Sequence, residues 1–235
     1  MRRLLALAPL ALLATTLPAW AGTISIAGRG EVQAAPDMAV ITSGVTSQGA
    51  TAREALDANT AAMTELLDEL KASGIEARDI QTTGFSVNPS YVYSDERDSN
   101  GYSLPPKVTG YQVSNTVTVV VRDLEDLGTI LDRSVTVGAN TVNGVTFSVA
   151  DSTELYNEAR QKAFADARAK AELYAETAGT TLGDLEAIRE SQGFDGPQPY
   201  AMYARAEAAS SAVPVEAGEL TFTINVDVEW NFGND

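Results

Sequence analysis

Three short stretches carry residue types and spacings that could do chemistry. Gly28-Arg29-Gly30 sets two glycines one residue apart, with Glu31 and Asp37 close behind. Glycines at that spacing can open backbone N–H groups to a phosphate, and an acidic pair can hold a metal or move a proton. Glu96-Arg97-Asp98-Ser99-Asn100-Gly101 has oxygen ligands at alternate positions and a glycine at the sixth, the first half of a calcium loop. Asp227 and Glu229 stand two residues apart in a strand-like run, on one face and close enough for a carboxylate pair.

None of the three completes its chemistry. A phosphate loop leads from its glycines straight into a helix whose N-terminus receives the anion. Here the next helical pattern begins only near Thr51, and Pro36 lacks a backbone donor. Gly28 and Gly30 therefore read as a bulge or a close backbone approach in a first strand, with Pro36-Asp37 turning the chain into a second. In the acidic loop the twelfth position, where a bidentate glutamate should close a calcium site, is Lys107. Asp227 and Glu229 share their face with Thr221 and Thr223 and are expected to meet solvent or a subunit, not the desolvated setting that lifts a carboxyl pKa. No catalytic, cofactor-binding or metal-binding residue is assigned, and no cofactor is expected.

Composition narrows the chemistry further. The chain has no histidine and no cysteine. That removes Ser-His-Asp and Cys-His catalysis, the usual zinc sites and any disulfide framework. Arg2 and Arg3 precede an apolar run, Leu4 to Leu17, that ends in Ala19-Trp20-Ala21. This is the pattern of a secretory signal cleaved after Ala21. Residues 22–235 then carry 14 basic and 32 acidic side chains, a net charge of −18. Such a field repels nucleic acid and anionic lipid, so neither is expected as a partner. No later segment is apolar enough to span a bilayer, and peripheral association with the envelope is the only membrane contact expected.

The elements follow from periodicity. Met38 to Ser47 reads as a strand, and Thr51-Ala52-Arg53-Glu54 as a capping box. Behind it Ala55, Leu56, Ala62, Met63, Leu66, Leu67 and Leu70 form one helical stripe that Gly74 ends. Strands are expected over Ile80 to Tyr93, Val108 to Val121 and Val142 to Val149, with a short helix from Leu124 to Val137. The order strand, helix, strand therefore occurs twice, and both closing strands contain Phe-Ser-Val. This is the pattern of a ferredoxin-like β-α-β-β-α-β sheet with helices on one face. A long alanine-rich helix, Ser152 to Ala178, follows, introduced by Asp151 or Ser152. Its inner face is expected at Tyr156, Ala159, Ala163, Ala167, Ala171, Tyr174 and Ala178. Leu182 to Ser191 reads as a strand. From Leu220 to Trp230 apolar and polar residues alternate strictly. The segments at about 95–107 and 193–215 are expected to be mobile or used at an interface. Tyr91, Tyr93, Tyr102, Tyr111, Tyr200 and Tyr203 lie in or beside them, either as contact surface or folded back onto their own domain.

The series as a whole resembles the SIMPL-domain family of bacterial exported proteins. It is carried by Gly28, Gly30, Val32, Pro36 and Asp37, and by Asp79-Ile80-Gln81-Thr82 leading into Phe85-Ser86-Val87 and Pro89-x-Tyr91. Gly110-Tyr111 with Ser114-Asn115, Gly138-Ala139-Asn140, Phe147, and Pro214 ahead of Gly218 complete it. The resemblance implies an α+β SIMPL-like sandwich: the ferredoxin-like core plus the alanine-rich helix and the C-terminal strand, all in one domain over 22–235. It also implies a periplasmic or outer-membrane-associated protein without catalytic residues. Such a protein self-assembles, in some members into rings, and serves envelope integrity or tolerance of oxidative stress. The alternative is a periplasmic glycan- or small-ligand-binding module or a carboxylate-based hydrolase. An outer-membrane barrel is excluded, because amphipathic helices interrupt too few strands.

Overall fold

The computed structural model describes residues 22–93, 95–191 and 213–233, and for 198–200 the backbone alone. Residues 1–21, where a secretory signal is expected, Tyr203, the side chain of Tyr200 and most of 193–215 lie outside the described residues. The elements in order are β1 (Thr23–Ala34), β2 (Met38–Gly49), α1 (Ala52–Ala72), β3 (Ile80–Val92), β4 (Lys107–Val121), α2 (Leu127–Thr136) and β5 (Thr141–Ser148). Then come α3 (Thr153–Thr177), β6 (Thr181–Ser191), β7 (Gln198–Tyr200) and β8 (Glu219–Gly233). A short 3-10 turn, Ala77–Asp79, leads into β3.

They form two antiparallel sheets. The central sheet has the order β3-β4-β2-β5 and is built wholly from the β-α-β-β-α-β run. That order is the ferredoxin-like arrangement the repeated pattern implied. The terminal sheet joins the two ends of the chain, β1-β8-β6, with β7 beside the first residues of β8.

Each sheet has its own core. Under α1 and α2 the central sheet buries Ala39, Ile41, Val117, Val119 and Val121 against Met63, Leu66, Leu70, Leu127 and Ile130. The entry into α1 is set by the expected capping box: Thr51 accepts from the Glu54 N–H, and the Glu54 carboxylate accepts from the Thr51 N–H. Buried Asn59 donates to the carbonyls of Val45 and Val113, tying α1 to β2 and β4 together. α2 begins at Leu127 rather than Leu124, because residues 123–126 form the turn before it. Gly138 closes it at φ +115°, a conformation other residues resist.

The terminal sheet buries Leu220, Phe222, Ile224, Val226, Val228 and Trp230, the alternate residues of β8, beneath α3. α3 meets them with Ala159, Ala163, Ala167, Ala171 and Ala175. This corrects the expected inner face at its far end, where Tyr174 and Ala178 are exposed. Steps of four continue one ridge inclined to the helix axis, whereas a step of three to Tyr174 leaves it. Ser152 is the N-cap residue, yet the Asp151 carboxylate accepts the Thr153 N–H.

The glycines of the opening stretch lie directly under that alanine stripe. β1 pairs with β8 in unbroken register from Thr23 to Ala34, so Gly28-Arg29-Gly30 forms no bulge. The other expectation, a close backbone approach, is what occurs. A Cβ on Gly30 would lie far inside contact distance of the Ala159 carbonyl oxygen, and one on Gly28 would sit 2.6 Å from Ala167 Cβ. Between 193 and 215, the backbone at 198–200 forms β7 where only an irregular connection was expected. Gly30→Ala is expected to lower the stability of the chain by about 3 kcal/mol through overpacking. Urea titration followed by circular dichroism checks this, with Gly74→Ala, whose Cβ would meet nothing and whose cost comes only from its φ of +88°, losing less.

Candidate functional site

The stretches singled out for chemistry are engaged in structure. In the acidic loop, the Asp98 carboxylate accepts the N–H groups of Asn100 (2.9 Å) and Tyr102 (3.0 Å). Arg97 takes the Gly101 carbonyl at 2.7 Å, and Arg97 and Ser103 form a bridge. An aspartate turned onto its own backbone in this way closes a tight loop. Asp227 is exposed on the open face of the terminal sheet, and Glu229 beside it pairs with Arg189 at 3.6 Å. Among the described residues no group of three or more histidine, cysteine, aspartate or glutamate side chains is placed to hold a metal.

One acidic residue that chemistry alone did not single out is Asp79. Its side chain is 7% exposed and forms a two-pronged pair with Arg122, Nε to Oδ2 at 3.0 Å and NH2 to Oδ1 at 2.8 Å. It lines a shallow depression of about 270 Å³ with Glu76, Arg122, Asp123 and Asp126. The hydrogen bond from Arg122 holds the Asp79 carboxyl below its usual range against the opposing pull of burial. The two-pronged pair ties the residue that precedes β3 to the one that follows β4.

The feature with the makings of a site is the open face and edge of the central sheet. Across its four strands the only charged side chain is Lys107, whereas each long strand of the terminal sheet carries two or more. Register aligns the outward side chains in rows. Asn88, Gln112 and Gln48 make an amide row, and Ser86, Ser114 and Thr46 a hydroxyl row. Thr46 Oγ1 lies 3.2 Å from Ser114 Oγ and 3.4 Å from Thr141 Oγ1. Beyond the last residue of β2, which pairs with Tyr111, β3 and β4 continue as a two-stranded arm. The arm exposes Tyr91, Val92, Tyr93 and Val108, and Tyr102 is exposed in the loop that closes it. On β3 itself Phe85 is 58% and Val87 40% exposed. This surface has neutral hydrogen-bonding groups, apolar side chains and an open strand edge. Among its described residues no hydroxyl has a carboxylate within hydrogen-bond distance.

The sequence profile of the SIMPL family, described as a protein of unknown function (DUF541), matches residues 24–230. The chain belongs to the SIMPL family. It is 41% identical over 218 residues to the 26 kDa periplasmic immunogenic protein of Brucella melitensis, covering 91% of this chain and 85% of that protein. It is 30% identical over 208 residues to the uncharacterized protein YggE of Edwardsiella ictaluri, covering 87% and 84%. With YggE of Escherichia coli K12 the figures are 28% over 210 residues, 87% and 81%. The SIMPL match spans both sheets and the candidate surface. No described helix is long and apolar enough to cross a membrane.

The Asp79–Arg122 pair makes a prediction with a defined sign. A depressed carboxyl pKa contributes stability above the ordinary value of 3.8 and loses it as pH falls through the lower folded value. Asp79→Asn is expected to be clearly less stable than wild type at pH 7, with the gap in urea midpoint closing below about pH 4. A gap independent of pH would show that the carboxylate charge is not what the pair contributes.

Proposed function

We propose that this chain is an exported, non-enzymatic envelope protein that assembles with copies of itself, in a ring-like form. Its role is in envelope integrity or tolerance of oxidative stress. Residues 1–21 act as the cleaved signal and 22–235 as one SIMPL domain located in the periplasm or at the outer membrane. The apolar leader with its Ala19-Trp20-Ala21 end supports export, and the relative named for the periplasm supports the compartment. The stress role rests on the family resemblance.

The observation that carries self-assembly is the distribution of charge. Two copies of a chain at net −18 repel each other, and the repulsion is strongest where acidic faces would meet. The central sheet is nearly free of charge, so it offers a broad surface where copies can approach without burying carboxylates. A second reading, a module for neutral glycans, is favoured by the amide row beside the exposed Tyr91 and Tyr93. Tyrosine rings with planar amides are suited to uncharged, hydroxyl-rich ligands.

Light scattering coupled to gel filtration of residues 22–235 is expected to give a mass several times that of one chain. Because salt screens the repulsion, raising ionic strength is expected to strengthen the assembly. A monomer at every salt concentration would overturn self-assembly, and a monomer that binds soluble glycans would establish the second reading. Deleting the gene in its host is expected to raise sensitivity to peroxide; unchanged survival would remove the stress role.

A further inference from the structure

A sheet edge left open is a template for another strand, and folded chains block such edges unless they use them. Three of the four edges here are blocked or broken among the described residues. β1 is sealed by α3: Lys162 donates to the Glu31 carbonyl, Lys170 to the Ala27 carbonyl, and Asp166 accepts the Arg29 N–H at 2.9 Å. β6 has two register shifts and carries Asp184, Glu186, Arg189 and Glu190. β5 is short and is kinked at Gly144, where φ is +83°. β3 differs from all three. It has no charged residue, and it pairs with β4 without interruption from Gly84 to Ser90.

The face beside that edge is uncovered as well. Val87 pairs with Val113, which is fully buried beneath α1, so Phe85 and Val87 share the helix-bearing side of the sheet. α1 lies over β2 and β4 and leaves these two side chains in solvent. Pro89 has no N–H, and a proline within a sheet sits where its nitrogen faces away from the neighbouring strand. In this uninterrupted stretch the outward backbone groups therefore belong to Phe85, Val87 and the Pro89 carbonyl.

We infer that the β3 edge, over Gly84–Asn88, pairs antiparallel with the β3 edge of a second copy about a two-fold axis at Ser86. The inference rests on the self-assembly reading and assigns one of its contacts; a two-fold contact closes on two copies, so a ring needs a second contact elsewhere. Charge selects the partner. A cationic partner would be drawn to the acidic helices and the terminal sheet, whereas a copy with the same large negative charge can approach closely only where neither surface has any. The geometry is self-complementary, as a two-fold contact requires. With Ser86 opposite Ser86 of the partner subunit, Phe85 of each copy faces Val87 of the other. Aromatic and β-branched residues are favoured cross-strand neighbours. The Phe85 and Val87 backbone groups supply the hydrogen bonds, and Pro89 ends the ladder on each side. The two central sheets become one continuous sheet of eight strands.

The register makes the test sharp, because the chain has no cysteine of its own. Ser86 would occupy a non-hydrogen-bonded pair, where Cα atoms stand about 4.5 Å apart, within the span of a disulfide. Mild oxidation of Ser86→Cys is expected to give a covalent dimer as the main species on a non-reducing gel. Asn88→Cys, which would face Gly84 of the other copy, is expected to stay uncrosslinked. Val87→Lys, at an exposed position that folding tolerates, is expected to weaken association about ten-fold or more by placing an unpaired charge in the contact. Wild type that assembles while Ser86→Cys fails to crosslink and Val87→Lys keeps its mass would overturn the β3 contact and leave self-assembly standing. Preferred crosslinking of Asn88→Cys would overturn the register. A wild-type monomer in light scattering would overturn the contact together with the reading beneath it.

Discussion

The terminal half of the molecule depends on one close backbone approach, α3 against β1. Gly28 and Gly30 remove side chains from the strand where alanines remove them from the helix, and the two backbones come together at those points. Only at that separation can Lys162, Asp166 and Lys170, one helical turn apart, reach over the strand to its outward backbone groups. Lys170 also holds the Asp166 carboxyl below its ordinary pKa, with the Arg29 N–H adding to the effect, so the anion of this seal is kept charged. The glycines thus serve the packing and the capping of an edge in the same contact.

The two halves treat their surfaces in opposite ways. The terminal sheet has one edge sealed, the other broken, and an open face laced with charge, including Arg29 beside Glu31 and Arg189 beside Glu229. The central sheet has an open edge, exposed Phe85 and Val87, and rows of amides and hydroxyls with hardly a charge among them. In a chain so acidic, this asymmetry gathers the charge on one sheet and leaves the other nearly free of it. Asp227, on the open face of the terminal sheet, is exposed to solvent.

Much of this was legible along the chain. The capping box at Thr51, the alternation of β8 and the repeated strand-helix-strand order each follow from patterns only a few residues long. The far end of the α3 face was misjudged at Tyr174 because amphipathic spacing tolerates steps of three or four, and only the inclination of the helix on its sheet chooses between them. The Asp79–Arg122 pair could not be found by spacing at all, since its members are 43 residues apart and meet only when β3 and β4 pair. The uncharged surface was present as four strands with a single lysine, a signal visible in composition once the strands are taken as one sheet.

By itself the sequence determined most of the elements, a bulge or a close approach at Gly28 and Gly30, and the absence of histidine and cysteine chemistry. These are local properties: side-chain period, backbone freedom at glycine, and which functional groups exist at all. The tertiary structure decided which edges are open. Whether a strand is sealed depends on the distance of a helix that follows it by more than a hundred residues, and whether Phe85 is buried depends on how far α1 reaches across its sheet. Burial and edge exposure are properties of the packed layers, and no window of the chain contains them.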